Sequence, residues 1–128
     1  MTRSTITDPH APEPVGPYSH AALSATGALY LSGQTPIDPA SGALVEGDVE
    51  EQTRRVFANL RSVLAAAGRS FDDVVKVNVY LVDMEDFAAM NRVYATVFAA
   101  PYPARTTVAV AGLPLGARVE IELVAERP

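Results

Sequence analysis

Two helix-period stripes, each set between segments of two-residue alternation, restrict this 128-residue chain to a sheet covered by helices. From Asp48 to Gly68, Val49, Val56, Phe57, Leu60, Val63, Leu64 and Ala67 fall on one side of a helix. Arg54, Arg55, Asn59, Arg61 and Ser62 lie largely off that stripe. Asp48 followed by Glu51 has the form of a capping box, and Gly68 is the expected stop. A second helix begins near Asp83 to Asp86 and carries Phe87, Met90, Tyr94, Val97 and Phe98 on its apolar face. Pro101 and Pro103 end it.

The remaining segments alternate. Ala21 to Ser24 and Ala28 to Ser32 flank Ala25-Thr26-Gly27 as a hairpin, with Leu29 and Leu31 on one face and Tyr30 and Ser32 on the other. Between Asp73 and Val82, Val75, Val77, Val79 and Leu81 alternate with Lys76, Asn78 and Tyr80. Near the end, Thr106, Val108 and Val110 alternate with Arg105, Thr107 and Ala109. Val119, Ile121, Leu123 and Ala125 alternate with Glu120, Glu122 and Glu126. The loop Gly112 to Gly116 suits an antiparallel pair of these last two strands. The order strands, helix, strand, helix, strands reads as an α+β fold: one mixed sheet, both helices on one face, a single domain over residues 1–128.

Alternation then sends Ser32, Arg105 and Glu120 together to the helix-free face, alongside Tyr30, Tyr80 and Val82. That face is too apolar to stand bare in water. It is expected to be buried against other subunits, with a pocket containing Arg105 at or near the interface.

Composition removes whole classes of function. With no cysteine and only two histidines, His10 and His20, thiolate chemistry and metal sites of several imidazoles are excluded. A net charge of −5 with ten Lys plus Arg argues against a nucleic-acid partner and against an anionic membrane. The N-terminal residues carry no apolar run of a signal peptide, and no stretch is long enough to span a bilayer, so a cytoplasmic protein is expected. No cofactor is expected either.

Arg105, in Pro103-Ala104-Arg105-Thr106-Thr107, offers a rigid fork of donors suited to a carboxylate, and Glu120 offers a group that can orient or deprotonate water. Two readings stay open at this point: a pocket for a small organic acid, or a plain cross-strand salt bridge between the two. Tyr18, in Gly16-Pro17-Tyr18-Ser19-His20, either places a phenol over a pocket or packs as an ordinary aromatic. Gly33, in Ser32-Gly33-Gln34, lets a ligand approach the main chain or marks a bulge. Asn91 is a surface residue or a polar contact at an interface.

Taken in order, Gly16-Pro17-Tyr18-Ser19, Leu31-Ser32-Gly33-Gln34, Glu51-Gln52-Thr53, Asp86-Phe87 through Asn91, Pro103 to Thr107 and Val119-Glu120-Ile121-Glu122 resemble the RidA (YjgF) family over nearly the whole chain, about Thr7 to Ala125. The resemblance implies a chorismate-mutase-like α+β fold and a homotrimer with a barrel-like core and three clefts between subunits. It implies hydrolysis of reactive imino acids, 2-iminopropanoate with its enamine 2-aminoacrylate and 2-iminobutanoate, to 2-oxo acids and ammonia. On that pattern Arg105 holds the substrate carboxylate and Glu120 positions the water. Tyr18 closes the pocket, while Ser32, Gly33, Asn91 and Thr107 line it, Thr107 through its main-chain carbonyl. The chain departs from the pattern where the bacterial deaminase has a cysteine at Thr107. It departs also at His20, where glutamine is frequent and the cleft entrance is affected, and in a shorter Ala99 to Tyr102 segment. The competing functions are a non-catalytic trimer that binds small carboxylates or acts as a chaperone, and an endoribonuclease or translation inhibitor. The acidic charge speaks against the last.

Overall fold

The hairpin anticipated around Gly27 forms one side of a six-stranded sheet in the computed structural model, which describes residues 3–128. The strands are β1 (Ser4–Ile6), β2 (Ala21–Leu23), β3 (Leu29–Gln34), β4 (Val74–Leu81), β5 (Ala104–Ala109) and β6 (Val119–Ala125), in the spatial order β1-β2-β3-β6-β4-β5. Only the β4–β5 pair is parallel. The helices are α1 (Val49–Ala66) and α2 (Phe87–Val97). Each is the crossover of a β-α-β connection, β3-α1-β4 and β4-α2-β5, and β6 is inserted between β3 and β4. No helix among the described residues is long and apolar enough to cross a membrane.

Local chemistry sets these boundaries. The Asp48 carboxylate accepts the Glu51 amide at 3.0 Å, whereas the Glu51 carboxylate turns to Arg54, so only half of the expected capping box forms. At the other end Gly68 takes φ of +71°. The amides of Gly68 and Arg69 return to the carbonyls of Ala65 and Leu64, closing the helix in a Schellman motif. The face of α1 bearing Val56, Leu60, Val63 and Leu64 packs on Leu29, Val77, Val79, Ile121 and Leu123, all buried. Each such side chain contributes about 1.5–3 kcal/mol when removed from water.

Three expectations change. β5 and β6 do not pair: β4 lies between them, because the β4-α2-β5 crossover seats β5 at the sheet edge and leaves the centre to β6. Val75 is not part of the buried set, since a register shift between Val74 and Lys76 turns Val74 inward and leaves Val75 46 % exposed. Asn59 is buried rather than off the stripe. Its side-chain amide donates to the carbonyls of Thr35 and Ile37 at 3.3 and 2.9 Å, fastening the long loop after β3 to α1. The edge strand β1 carries no pattern that the sequence reading used.

Candidate active site

Arg105 does not share a face with Glu120. In the β4–β5 ladder Arg105 stands opposite Val77 and Thr107 opposite Val79, so both lie on the helix-covered face; Thr106 and Val108 take the open one. Alternation alone could not show this. It assigns the more apolar set to the core, but β5 is an edge strand, and Val108 is 41 % exposed.

Around Arg105, α2 supplies the surroundings. One guanidinium nitrogen donates to Asn91 Oδ1 at 2.7 Å, and the charge lies 4.6 Å from the Tyr94 ring centre and 5.5 Å from that of Phe87. Phe87, Asn91 and Tyr94 follow one another at four and three residues, which places them on a single helix stripe. Arg105 makes no ion pair among the described residues. It opens into a cavity of about 500 Å³ lined also by Tyr102 and Pro103. Thr107 stands further along β5 on the same face, its hydroxyl buried and without a hydrogen bond among the described residues.

Glu120 belongs to a second cavity of about 300 Å³ on the helix-free face, lined by Val15, Tyr18, Ser32, Gly33, Thr35 and Pro114. β3 reaches it through a bulge. From Leu31 to Gln34 β3 advances three residues while β6 moves two, from Leu123 to Ile121. Gly33 in that bulge touches the Glu120 side chain so closely that a Cβ there would overlap the carboxylate. Ser32 Oγ donates to the Ser19 carbonyl at 2.6 Å, and the Ser32 amide donates to the His20 carbonyl at 3.0 Å. These bonds dock the chain carrying Tyr18 against the site, and the Tyr18 hydroxyl accepts the Val15 amide at 3.2 Å. Burial pushes the Glu120 carboxyl above its ordinary range, and the neighbouring Glu122 charge adds to the rise. Glu122 itself accepts from Tyr80 and Asn78. His20 is not at a cleft entrance; it is 3 % exposed beneath the N-terminal segment.

The chain thus carries two separate groups: Arg105 with Asn91 and Thr107, and Tyr18, Ser32 and Gly33 with Glu120. A cross-strand Arg105–Glu120 salt bridge is excluded by the intervening β4.

The family model described as Endoribonuclease L-PSP matches residues 8–127. The chain belongs to the RidA family. It is 49 % identical over 123 residues to a RutC family protein of Pyrococcus horikoshii, covering 96 % of this chain and 97 % of that one. It is 46 % identical over 125 residues to the mouse 2-iminobutanoate/2-iminopropanoate deaminase, covering 98 % and 92 % of the two chains. Among solved structures it resembles RidA from an Antarctic Psychrobacter at 44 % identity and a TM-score of 0.92, over 98 % of this chain and all of that one.

For this RidA-family chain the sequence reading missed Tyr94 and Phe87 as site residues, because they were absorbed into the apolar stripe of α2. Their spacing with Asn91 was the available signal. Thr35 and Pro114, which flank Glu120, carried no comparable signal.

Proposed function

We propose that this protein hydrolyses 2-imino acids and their enamine tautomers, 2-iminopropanoate/2-aminoacrylate and 2-iminobutanoate, to 2-oxo acids and ammonia. The sites are completed between copies of the chain in a chorismate-mutase-like homotrimer with a barrel-like core. Arg105 carries the reading: a guanidinium beside an open cavity, held by Asn91 and two aromatic rings, without an acidic partner among the described residues. Such a group suits a ligand carboxylate. Support comes also from mammalian relatives at 43–46 % identity named for this activity. Net charge −5 gives an RNA-cleaving reading little to stand on.

Arg105 binds the substrate carboxylate and fixes the imine carbon in the cleft. Glu120 of the neighbouring copy takes a proton from water as its oxygen bonds to that carbon, and the C=N π electrons move to nitrogen. The resulting carbinolamine loses ammonia when its nitrogen is protonated, and the hydroxyl proton leaves as C=O forms. A protonated imine is already strongly electrophilic, so positioning and proton transfer supply the catalysis. The raised Glu120 pKa brings this base closer to the operating pH. Tyr18, Ser32 and Gly33 wall the water side; Asn91 steadies Arg105, and Thr107 presents its main-chain carbonyl to the imine nitrogen.

The test generates 2-iminobutanoate in situ with threonine dehydratase, with semicarbazide competing for it, and follows 2-oxobutanoate. Acceleration by the parent protein and a loss of at least about a hundredfold in Arg105→Ala, equivalent to roughly 3 kcal/mol of charge-assisted hydrogen bonding, are expected. No acceleration by a folded, assembled protein overturns the reading.

A further inference from the structure

Everything that holds Arg105 among the described residues is uncharged. Asn91 Oδ1 accepts from one guanidinium nitrogen at 2.7 Å, and the guanidinium carbon lies 4.6 Å from the centre of the Tyr94 ring and 5.5 Å from that of Phe87. All three holders stand on α2. None of the ion pairs among the described residues includes Arg105.

Tyr94 is the most deeply set of the groups that line the Arg105 cavity, 7 % exposed, with its ring against those of Phe57 and Phe98. Its hydroxyl is buried and makes no hydrogen bond among the described residues. Burial pushes that hydroxyl above its ordinary range, and the Arg105 charge pulls it back by less. The phenol therefore stays neutral and brings no negative charge to the guanidinium. What Tyr94 gives to Arg105 is its ring face, whose π electrons attract a cation without neutralising it.

An arginine already paired with a carboxylate must give up that partner before it takes another. Uncharged holders demand no such exchange. Of the five N–H donors of the guanidinium, the described residues engage the one that reaches Asn91. That hydrogen bond fixes a nitrogen and the ring contact fixes the central carbon, so a long side chain is ordered before any ligand arrives.

We propose that Tyr94 is a positioning residue which, together with Asn91, holds Arg105 through uncharged contacts and so reserves its charge for an incoming carboxylate. That this carboxylate belongs to a 2-imino acid rests on the imine-hydrolase reading; the reserved charge does not. Tyr94 acts through Arg105 and not on the substrate. A carboxylate remote from the breaking bond is held alike in the ground state and the transition state, so a loosened Arg105 should raise KM and spare kcat.

The experiment measures binding of 2-oxobutanoate, the carboxylate product, to the full, assembled protein by titration calorimetry, and takes KM and kcat from the imine assay. Tyr94→Phe keeps the ring and sheds the unpaired hydroxyl, so its affinity should stay within about twofold of the parent. Tyr94→Leu should bind more weakly and show a higher KM, each by about five- to tenfold, with kcat within about threefold. Phe98→Leu removes a ring 4.8 Å from Tyr94 that does not face Arg105, so it reports the cost of loosening the aromatic cluster alone and should keep the parent's affinity. Asn91→Asp changes almost no volume but sets an acid on the guanidinium, and binding should fall by at least about tenfold. The parent's affinity in a folded Tyr94→Leu or in Asn91→Asp overturns the inference. So does a Tyr94→Phe as weak as Tyr94→Leu, a Phe98→Leu as weak as Tyr94→Leu, or a parent that neither binds 2-oxobutanoate nor turns over the imine. Should Tyr94→Leu fail to fold, Asn91→Asp alone decides. The two readings fail separately. Carboxylate binding in this order without imine turnover leaves the holder and removes the hydrolase; turnover with an unchanged KM in Tyr94→Leu does the reverse.

Discussion

Arg105 and Glu120 stand on opposite faces of one sheet, separated by β4, so neither can serve the same small molecule from within one protomer. Two inactive variants should therefore repair each other. Arg105→Ala and Glu120→Gln are each expected to be inactive. When refolded together as mixed assemblies, they should regain activity in about a quarter of the sites, those that draw Arg105 from one variant and Glu120 from the other. Imine-hydrolysis rates of the mixture, set against each variant alone, check this. A mixture as inactive as its components would mean that Arg105 and Glu120 do not act together in one shared site.

Gly33→Ala separates catalysis from folding. The added methyl meets the end of the Glu120 side chain, which can swing aside, rather than main chain. The expected cost in stability is modest, about 1–3 kcal/mol. The expected cost in activity is larger, more than about tenfold, because the displaced carboxylate no longer orients water. Full activity in a folded Gly33→Ala protein would contradict the assigned place of Glu120.

Glu120 should limit activity in acid. It must be ionised to act as a base, and burial, then Glu122, raise its pKa. The acid limb of kcat/KM should lie above the ordinary carboxylate range. Glu122→Gln should move it down only in part, since burial is the larger cause. Stability carries the opposite sign. The folded protein holds this proton to higher pH than the unfolded chain, so the stabilisation is full in acid and lost as pH rises through the raised value. Glu120→Gln should therefore melt higher than the parent near neutral pH, with the gap closing in acid; thermal melts across that range read it directly.

Asn59→Ala should cost about 2–3 kcal/mol, because it leaves the Thr35 and Ile37 carbonyls without the buried amide that satisfies them. Urea denaturation measures the loss. Activity should fall as well, since Thr35 borders the Glu120 cavity.

Most of the scaffold was legible in the sequence because its central elements obey clean periods. The α1 stripe with Asp48 and Gly68, and the alternation in β6, all appear in the structure. Legibility failed where burial and period part company. β5 is an edge strand, so the rule that the more apolar set faces the core turned Arg105 to the wrong side. Asn59 looked like a solvent residue because no local pattern announces a loop returning from residues 35–37 to cover it. The two half-sites, unlike their residues, were invisible, because they depend on which strand is inserted beside which.

The extra residue of β3 has a further consequence. Leu31 and Gln34 both face the helices although three positions separate them, and Ser32-Gly33 occupies the space gained. The spacing there is as meaningful as the letters. Deleting one residue between Leu31 and Gln34 would restore a regular ladder and leave Gln34 in the core, yet remove half of the wall beside Glu120. Adding one would expel Gln34 and every side chain after it to the other side. Across descendants of such a chain a change in length at this point displaces far more than any single substitution does, so the distance between these two residues should be among the slowest features to drift.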